Sequence, residues 1–175
     1  LVKRKKWSFS NDEASGVAVK TDNCAFVIAK EEFTQLKWGG YGVLINGCTT
    51  VEDFDVAKSD YRGSKNTDAI VSQLGTGSEY AARKCSEYVF LHGVNGYLPA
   101  LGELYEVYQN KSEVDECMSL IGGASLQGES SDKQDWSSTQ FEENQAFGFQ
   151  WDNGEVFGVN KIMSNRRTRP FAAFK

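Results

Sequence analysis

The sequence predicts an α+β fold in which short antiparallel strands pack against two or three helices. Three observations lead to this prediction. Short apolar or β-branched runs occur in the first 50 residues, helical periodicity follows in the middle of the chain, and period-2 alternation appears near the end. Because strands and helices come in consecutive blocks, an antiparallel sheet is expected. The length of 175 residues predicts a single domain, with strands and loops over residues 1–60, helices over 61–125 and strands over 126–175.

The N-terminal part is predicted to form three strands followed by a long loop. The strand candidates are the runs Val17–Val19, Ala25–Ala29 and Val43–Ile45, the last of which follows the glycine-rich bend Trp38–Gly42. Residues 51–66 are predicted as a loop because they are rich in Asp, Gly and Asn. Three aspartates raise the question of calcium binding: Asp53, Asp55 and Asp60. Their spacing does not match an EF-hand loop, so they are expected to be solvated.

The middle of the chain predicts helices. A first helix is expected from about Thr67 to Leu91, with a break available at Gly75–Gly77. A second is expected over Pro99–Tyr108, because proline suits a first turn and apolar residues recur on one face. Ser112 is the expected N-cap of a third helix, which the Gly122–Gly123 pair should end.

The C-terminal part predicts a β-hairpin with two different faces. Apolar and polar residues alternate from Phe147 to Asp152, and Asn153–Gly154 is a tight-turn signal. Residues 155–159 are the expected returning strand, and residues 169–174 are the expected last strand. Three apolar residues are expected to point inward: Phe147, Phe149 and Trp151. Three residues are expected to project outward from the other face: Gly148, Gln150 and Asp152.

Composition argues against several classes of protein. The net charge of −5 argues against general nucleic-acid binding. No apolar run approaches the roughly 18–20 residues of a transmembrane helix, and no signal peptide is visible, so no membrane insertion is expected. The basic run Lys3–Lys6 suits a phosphate-binding arm, but a solvated terminus or strand edge accounts for it better.

Cysteine and histidine counts limit the available chemistry. The four cysteines, none of which are at C-x-x-C spacing, are Cys24, Cys48, Cys85 and Cys117. They fit either four reduced, mostly buried thiols or two disulfides, and a single bridge would join Cys85 to Cys117 on two packed helices. The one histidine, His92, is expected to satisfy a helix end rather than act as a base. No metal, cofactor or enzymatic activity is therefore expected, and Ser137–Thr139 beside Asp135 should hold a turn.

Several segments carry a resemblance to a known family. The most specific are Leu-Pro-x-x-Gly-Glu-Leu at Leu98–Leu104, Trp-Ser-Ser-Thr at Trp136–Thr139, and the ending Arg169–Phe174. Together they resemble the C-type lectin-like domains of bacterial and phage surface proteins, which share a fold with formylglycine-generating enzyme. The resemblance implies this fold from about residue 60 onward. It implies neither calcium-dependent sugar binding, since Pro99 has no adjacent acidic or amide ligand, nor the enzyme's oxidation, since the last 58 residues contain no cysteine.

The last third of the chain also resembles the variable region of proteins diversified by retroelements. The framework positions of that group fall here on Trp136–Thr139, Ala146-Phe147, Gly154, Lys161 and Arg169-Pro170. The resemblance implies a ligand-binding C-terminal hairpin face at the chemically mixed positions between them: Phe141, Glu142, Gln145, Gly148, Gln150, Asp152, Glu155, Phe157, Val159, Asn160, Ile162 and Met163. Exposure of Phe157, Ile162 or Met163 would favour ligand contact over core packing.

The resulting expectation is a receptor or adhesin domain whose C-terminal surface is diversified to bind a protein or glycan on a target cell. It would lie on a virion tail or an extracellular cell surface, alone or as a homo-oligomer. The alternatives are a non-diversified structural or adhesive fibre-tip domain and an enzyme of the related fold. Three arginines are expected to pair with carboxylates rather than with an anionic ligand: Arg166, Arg167 and Arg169 with Glu142, Glu143 or Glu155.

Overall fold

The computed structural model describes residues 14–126 and 134–173, and these residues form an α+β fold, as predicted. The strands are β1 (Gly16–Lys20), β2 (Ala25–Ala29), β3 (Phe33–Leu36), β4 (Val89–Phe90), β5 (Val94–Asn95), β6 (Gln134–Gln140), β7 (Gln145–Gln150), β8 (Val156–Asn160), β9 (Arg166–Thr168) and β10 (Phe171–Ala173). The helices are α1 (Phe54–Ala57), α2 (Gly63–Leu74), α3 (Ala81–Glu87), α4 (Leu101–Gln109) and α5 (Lys111–Leu120). The basic run Lys3–Lys6, Phe174 and the side chain of His92 lie outside the described part.

The strands form three sheets. The larger sheet has the order β3-β9-β6-β7-β8 and is antiparallel except where β6 runs parallel to β9. The smaller sheet has the order β1-β2-β10, which brings the end of the described chain beside its beginning. The two-residue strands β4 and β5 form a separate short hairpin. The prediction of mainly antiparallel pairing is therefore confirmed.

Two large apolar clusters and a small third one, around Ala29, Phe90 and Ala172, form the core of the described residues. The first lies among β1, β2, β10, α4, α5 and β7, and includes Phe26, Leu104, Phe147 and Phe149. The second lies between α2, α3 and the larger sheet, and is built around Trp38 and Trp136. The two indoles are held by long-range bonds, since Trp38 Nε1 donates to Ser137 O at 2.8 Å and Trp136 Nε1 donates to Leu36 O at 2.9 Å.

The two motifs with the strongest family resemblance pack directly against each other. Ser138 N donates to Pro99 O at 2.7 Å, and Leu101 N donates to Thr139 Oγ1 at 2.9 Å. Gly102 lies against the backbone before α2: a Cβ there would be 2.6 Å from Asp60 O and 2.7 Å from Lys58 O. The Leu-Pro-x-x-Gly-Glu-Leu spacing therefore reflects packing, because only glycine allows this approach.

Asp60 and the Ser-Ser-Thr segment are buried rather than solvated or in a turn, contrary to prediction. Asp60 accepts bonds from Thr49 Oγ1, Arg62 N, Asn66 Nδ2 and Thr139 Oγ1. Residues 137–139 lie within the buried strand β6. A buried carboxylate is stable only when hydrogen-bond donors surround it. The polar side chains of Thr49, Asn66 and Thr139 therefore stabilise Asp60 inside the protein.

Several predicted elements have different bounds. Residues 43–45 form a loop instead of a strand, because side chains from distant segments bind their backbone. Residues 51–66, predicted as a loop, contain α1, whose N-terminus is capped by Asp53, and the start of α2. The first long helix is divided at the glycines, as predicted, but α3 ends at Glu87 and His92 lies in the 3₁₀ turn Leu91–Gly93.

The later helices and turns are close to prediction. Helix α4 begins two residues after Pro99, and α5 follows it with Asn110, not Ser112, as its N-cap. Helix α5 ends before Gly122, which has φ of +68° and so suits a residue without a Cβ. In the described residues no helix is long and apolar enough to cross a membrane.

Candidate ligand-binding surface

The predicted C-terminal hairpin is present as β7 and β8. The register runs from Gln145 opposite Asn160 to Phe149 opposite Val156, and residues 151–154 form the turn. Phe147, Phe149 and Trp151 are buried in the first core cluster, as predicted. The apolar face of the hairpin is therefore part of the core.

The opposite face of the hairpin is covered by its own side chains, which corrects two predicted surface positions. Gly148 and Val159 are buried. A Cβ at Gly148 would lie 2.8 Å from Val159 Cγ2 and 2.9 Å from Phe157 Cε2, so these two side chains lie over the glycine. Phe157 itself is half-buried and packs against the second core cluster.

The remaining predicted site residues fall at two separated ends of the hairpin. Asp152 and Glu155 are exposed at the turn, where Asn153 Oδ1 accepts from Glu155 N. The other end carries most of the set: Phe141, Glu142, Gln145 and Asn160 are half-buried, and Ile162 and Met163 are exposed. Gln150 is half-buried near the turn end and bonds Gln134. Four residue steps, about 13 Å, separate the two ends.

The turn end borders an open depression of about 800 Å³ between it and helices α4 and α5. Tyr108, Asp115, Trp151 and Asp152 are among its lining residues. Of the predicted ligand-binding residues, Asp152 alone lines it among the described part of the chain.

Five large apolar side chains are exposed on two neighbouring loops at the other end, and we call them the apolar patch: Tyr41, Val43, Leu44, Ile162 and Met163, with exposed fractions of 38–52%. The side chain of Lys161, which directly precedes Ile162, joins the two loops, since its Nζ donates to Val43 O at 2.9 Å. Gly42 N also donates to Glu143 O in the turn between β6 and β7, at 3.1 Å. Ile162 and Met163 were predicted as candidates. The three residues from loop 39–48 were missed, because Val43 and Leu44 were predicted to lie in a strand and Tyr41 in the bend before it.

A groove of about 390 Å³ runs beside the apolar patch. Tyr41 and Ile162 line it together with Tyr80 and Ser164. Gln35 also lines the groove and has φ of +59°, a conformation that no other non-glycine residue has in the described ranges. Such a conformation costs roughly 1 kcal/mol or more and often occurs at binding sites.

Lys161 lies buried beneath the apolar patch. Its Nζ donates to Val43 O at 2.9 Å, Gln140 Oε1 at 2.8 Å and Glu143 O at 2.9 Å, and it lies 4.6 Å from the Trp38 ring centroid. Burial lowers the pKa of this amine to about 8. The ammonium form is thus still the main form at pH 7.

Two of the three arginines, Arg167 and Arg169, pair with carboxylates, as predicted, but with different ones, and Arg166 Nη1 donates to Asn165 Oδ1. Arg169 and Arg167 are buried, and both contact Glu32, at 3.1 and 3.2 Å. Arg167 also lies 3.1 Å from Asp135. Burial raises the pKa of Asp135, and the charge of Arg167 opposes this shift. Both guanidinium groups also bind the backbone of residues 124–126. Arg169 donates to Ala124 O and Ser125 O, and Arg167 donates to Leu126 O, so these arginines are structural residues of the interior.

Cysteine and metal chemistry have little support in the described residues. All four cysteines are free thiols, which corresponds to the first of the two alternatives, and no Cys85–Cys117 bridge is present. Burial raises the pKa of Cys48 and Cys85 to about 12. No cluster of three or more His, Cys, Asp or Glu side chains suited to a metal occurs in the described part of the chain.

Comparisons with known proteins identify a likeness of fold only. No family model matches the chain, and no curated protein matches it. The fold is similar to that of a fimbrial protein from Bacteroides ovatus, with a TM-score of 0.56 and 10% sequence identity. The match covers 86% of this chain and 36% of the fimbrial protein, so this chain spans about a third of that protein's length.

Proposed function

We propose that this chain is an adhesive or fibre-associated domain of an extracellular surface, and that it binds a protein partner through the apolar patch. The observation that carries the proposal is the grouping of Tyr41, Val43, Leu44, Ile162 and Met163 on two adjoining loops. Exposed large apolar side chains that are grouped on adjoining loops often mark a site of interaction with another protein. Four of these five side chains are not aromatic, which favours a protein over a glycan as the ligand.

The likeness to a fimbrial protein supports the fibre-associated and extracellular part of this proposal. That neighbour is a fimbrial protein, and the shared fold is compatible with a fibre-associated domain here. A binding role is proposed over an enzymatic one because the amine beneath the patch is already engaged with the fold. Lys161, the titratable group beneath the patch, donates to three protein oxygens.

A C-type lectin-like scaffold remains part of the proposal. The packing of Pro99 and Leu101 against Ser138 and Thr139 supports it, since it explains why both motifs occur together. Retroelement diversification is a separate, finer hypothesis. Sequencing the encoding locus in a population, with a search for a near-repeat of the last 40 codons, tests it: substitutions confined to adenine positions would support it, and an invariant locus without a repeat would contradict it.

Bead adhesion tests the binding role. Beads carrying the domain are applied to arrays of immobilised extracellular proteins and of glycans. The double variant Leu44→Ser, Ile162→Ser is compared with Leu91→Ser, Leu120→Ser, which removes apolar side chains of similar exposure elsewhere. We expect binding to a protein spot that falls at least tenfold in the first variant and less than twofold in the second. Equal loss in both variants, or binding to glycans alone, would contradict the proposal.

A further inference from the structure

We propose that Lys161 is the positioning residue of the apolar patch: its ammonium group holds loop 39–48 against the turn between β6 and β7. The two halves of the patch come from segments far apart in the chain. Val43 lies between Tyr41 and Leu44 in one half, and Lys161 directly precedes Ile162 in the other. The bond from Lys161 Nζ to Val43 O therefore joins both halves.

The number of bonds matches an ammonium group. A protonated lysine has three N–H donors and no acceptor, and the three acceptors here come from three segments. They are Val43 O, Gln140 Oε1 and Glu143 O, in loop 39–48, at the end of β6 and in the following turn. A neutral amine has two N–H donors, so it would leave one oxygen facing a lone pair.

Two of the acceptors also bind the backbone of the loop. Gln140 Oε1 accepts from Ile45 N at 3.1 Å, and Glu143 O accepts from Gly42 N at 3.1 Å. The ammonium, the two acceptors and the two amides thus form one network. The amide protons of Gly42 and Ile45 consequently report whether the network is closed.

The network is charged at neutral pH. Burial lowers the pKa of Lys161 to about 8, while the facing groups Cys48, Glu142 and Glu143 act in the opposite direction. The ammonium form, with one donor for each of the three oxygens, is therefore the main form at pH 7.

Rapid-quench hydrogen exchange on the whole domain tests the proposal. Rates are measured at pH 7 and divided by the intrinsic rates. In Lys161→Met we expect exchange of the Gly42 and Ile45 amides to rise at least tenfold, with the core amide of Ile28 unchanged. The matched control is Lys58→Met, because Lys58 also lies near a ring (Tyr105, 5.5 Å) and a carboxylate but is on the surface. This control should leave the Gly42 and Ile45 rates unchanged.

Unchanged Gly42 and Ile45 exchange in Lys161→Met would overturn the proposal. If Ile28 also loses protection in the variant, ¹⁵N NMR of the lysine ammonium groups in the wild type decides instead. Ammonium protons of Lys161 that exchange with water much more slowly than those of the exposed Lys65 support the proposal, and equally fast exchange overturns it. The importance of this residue for binding rests on the proposed function, but the exchange test needs no ligand. Failure of the bead assay alone would therefore refute the binding role and leave the positioning role standing.

Discussion

Glu103 offers a quantitative test of how the Leu-Pro-x-x-Gly-Glu-Leu motif is built. The carboxylate is buried at the third position of α4, where it accepts from Ala100 N at 2.8 Å and from Tyr97 Oη at 3.1 Å. Burial raises its pKa to about 7, although both hydrogen bonds oppose the shift, and Asp60 adds to the rise. Between pH 4.5 and about 7, Glu103 is therefore mostly protonated in the native protein and mostly ionised in the unfolded chain, where its pKa is 4.5.

The sign and size of the effect follow from this difference. Between pH 4.5 and 7 the native state binds more protons than the unfolded state, so the free energy of unfolding falls as pH rises. Each pKa unit corresponds to about 1.4 kcal/mol, and the part of the shift between pH 5 and 8 amounts to about 2–3 kcal/mol. Glu103→Gln is neutral at all these pH values and should lack this loss. The variant should thus gain about 2–3 kcal/mol relative to the wild type between pH 5 and 8.

Urea unfolding followed by far-UV circular dichroism at pH 5, 6, 7 and 8 measures this difference. Titration of all other groups cancels between the two proteins. Glu113→Gln is the matched control, since Glu113 occupies the same third position in α5 but is exposed. Its difference from the wild type should stay within about 0.5 kcal/mol. A constant difference for Glu103→Gln, or one of opposite sign, would refute the reasoning.

Two further predictions concern the framework. Gly102→Ala should destabilise the domain by about 1–3 kcal/mol in urea unfolding, because the added methyl group meets two backbone oxygens; an unchanged midpoint would show that the helix can move away. Arg169→Met should cost about 3–5 kcal/mol, since it leaves Glu32 and the carbonyls of Ala29 and Ala124 without this donor, whereas Arg83→Met at the surface should cost under about 1 kcal/mol. Equal costs for the two arginine variants would contradict the structural role given to Arg169.

Local sequence patterns correctly predicted the elements whose conformation depends on residues that are close in the sequence. The alternation from Phe147 to Trp151 identified both strand and inner face, because side chains in a strand alternate regardless of distant contacts. The glycines at 75 and 122 likewise identified helix ends. These features needed no knowledge of the rest of the molecule.

Features that depend on distant partners could not be predicted. Loop 39–48 takes its path from Gln140, about 95 residues away, and from Gln73 on α2. Asp60 is buried because Thr139 reaches it from β6, a contact that no local pattern indicates. Arg167 and Arg169 were expected to pair with carboxylates close in sequence, yet their partner Glu32 lies at the other end of the chain.

The same reasoning explains why the candidate surface lies at the end of the hairpin rather than on its face. Phe157 and Val159 lie over Gly148, so the middle of the outer face is closed by packing and tolerates little change. At the end near Asn160 the chain leaves the sheet, and Ile162 and Met163 project without such constraints. Variation at these two positions costs the core little, whereas Lys161 beside them is bound on three sides.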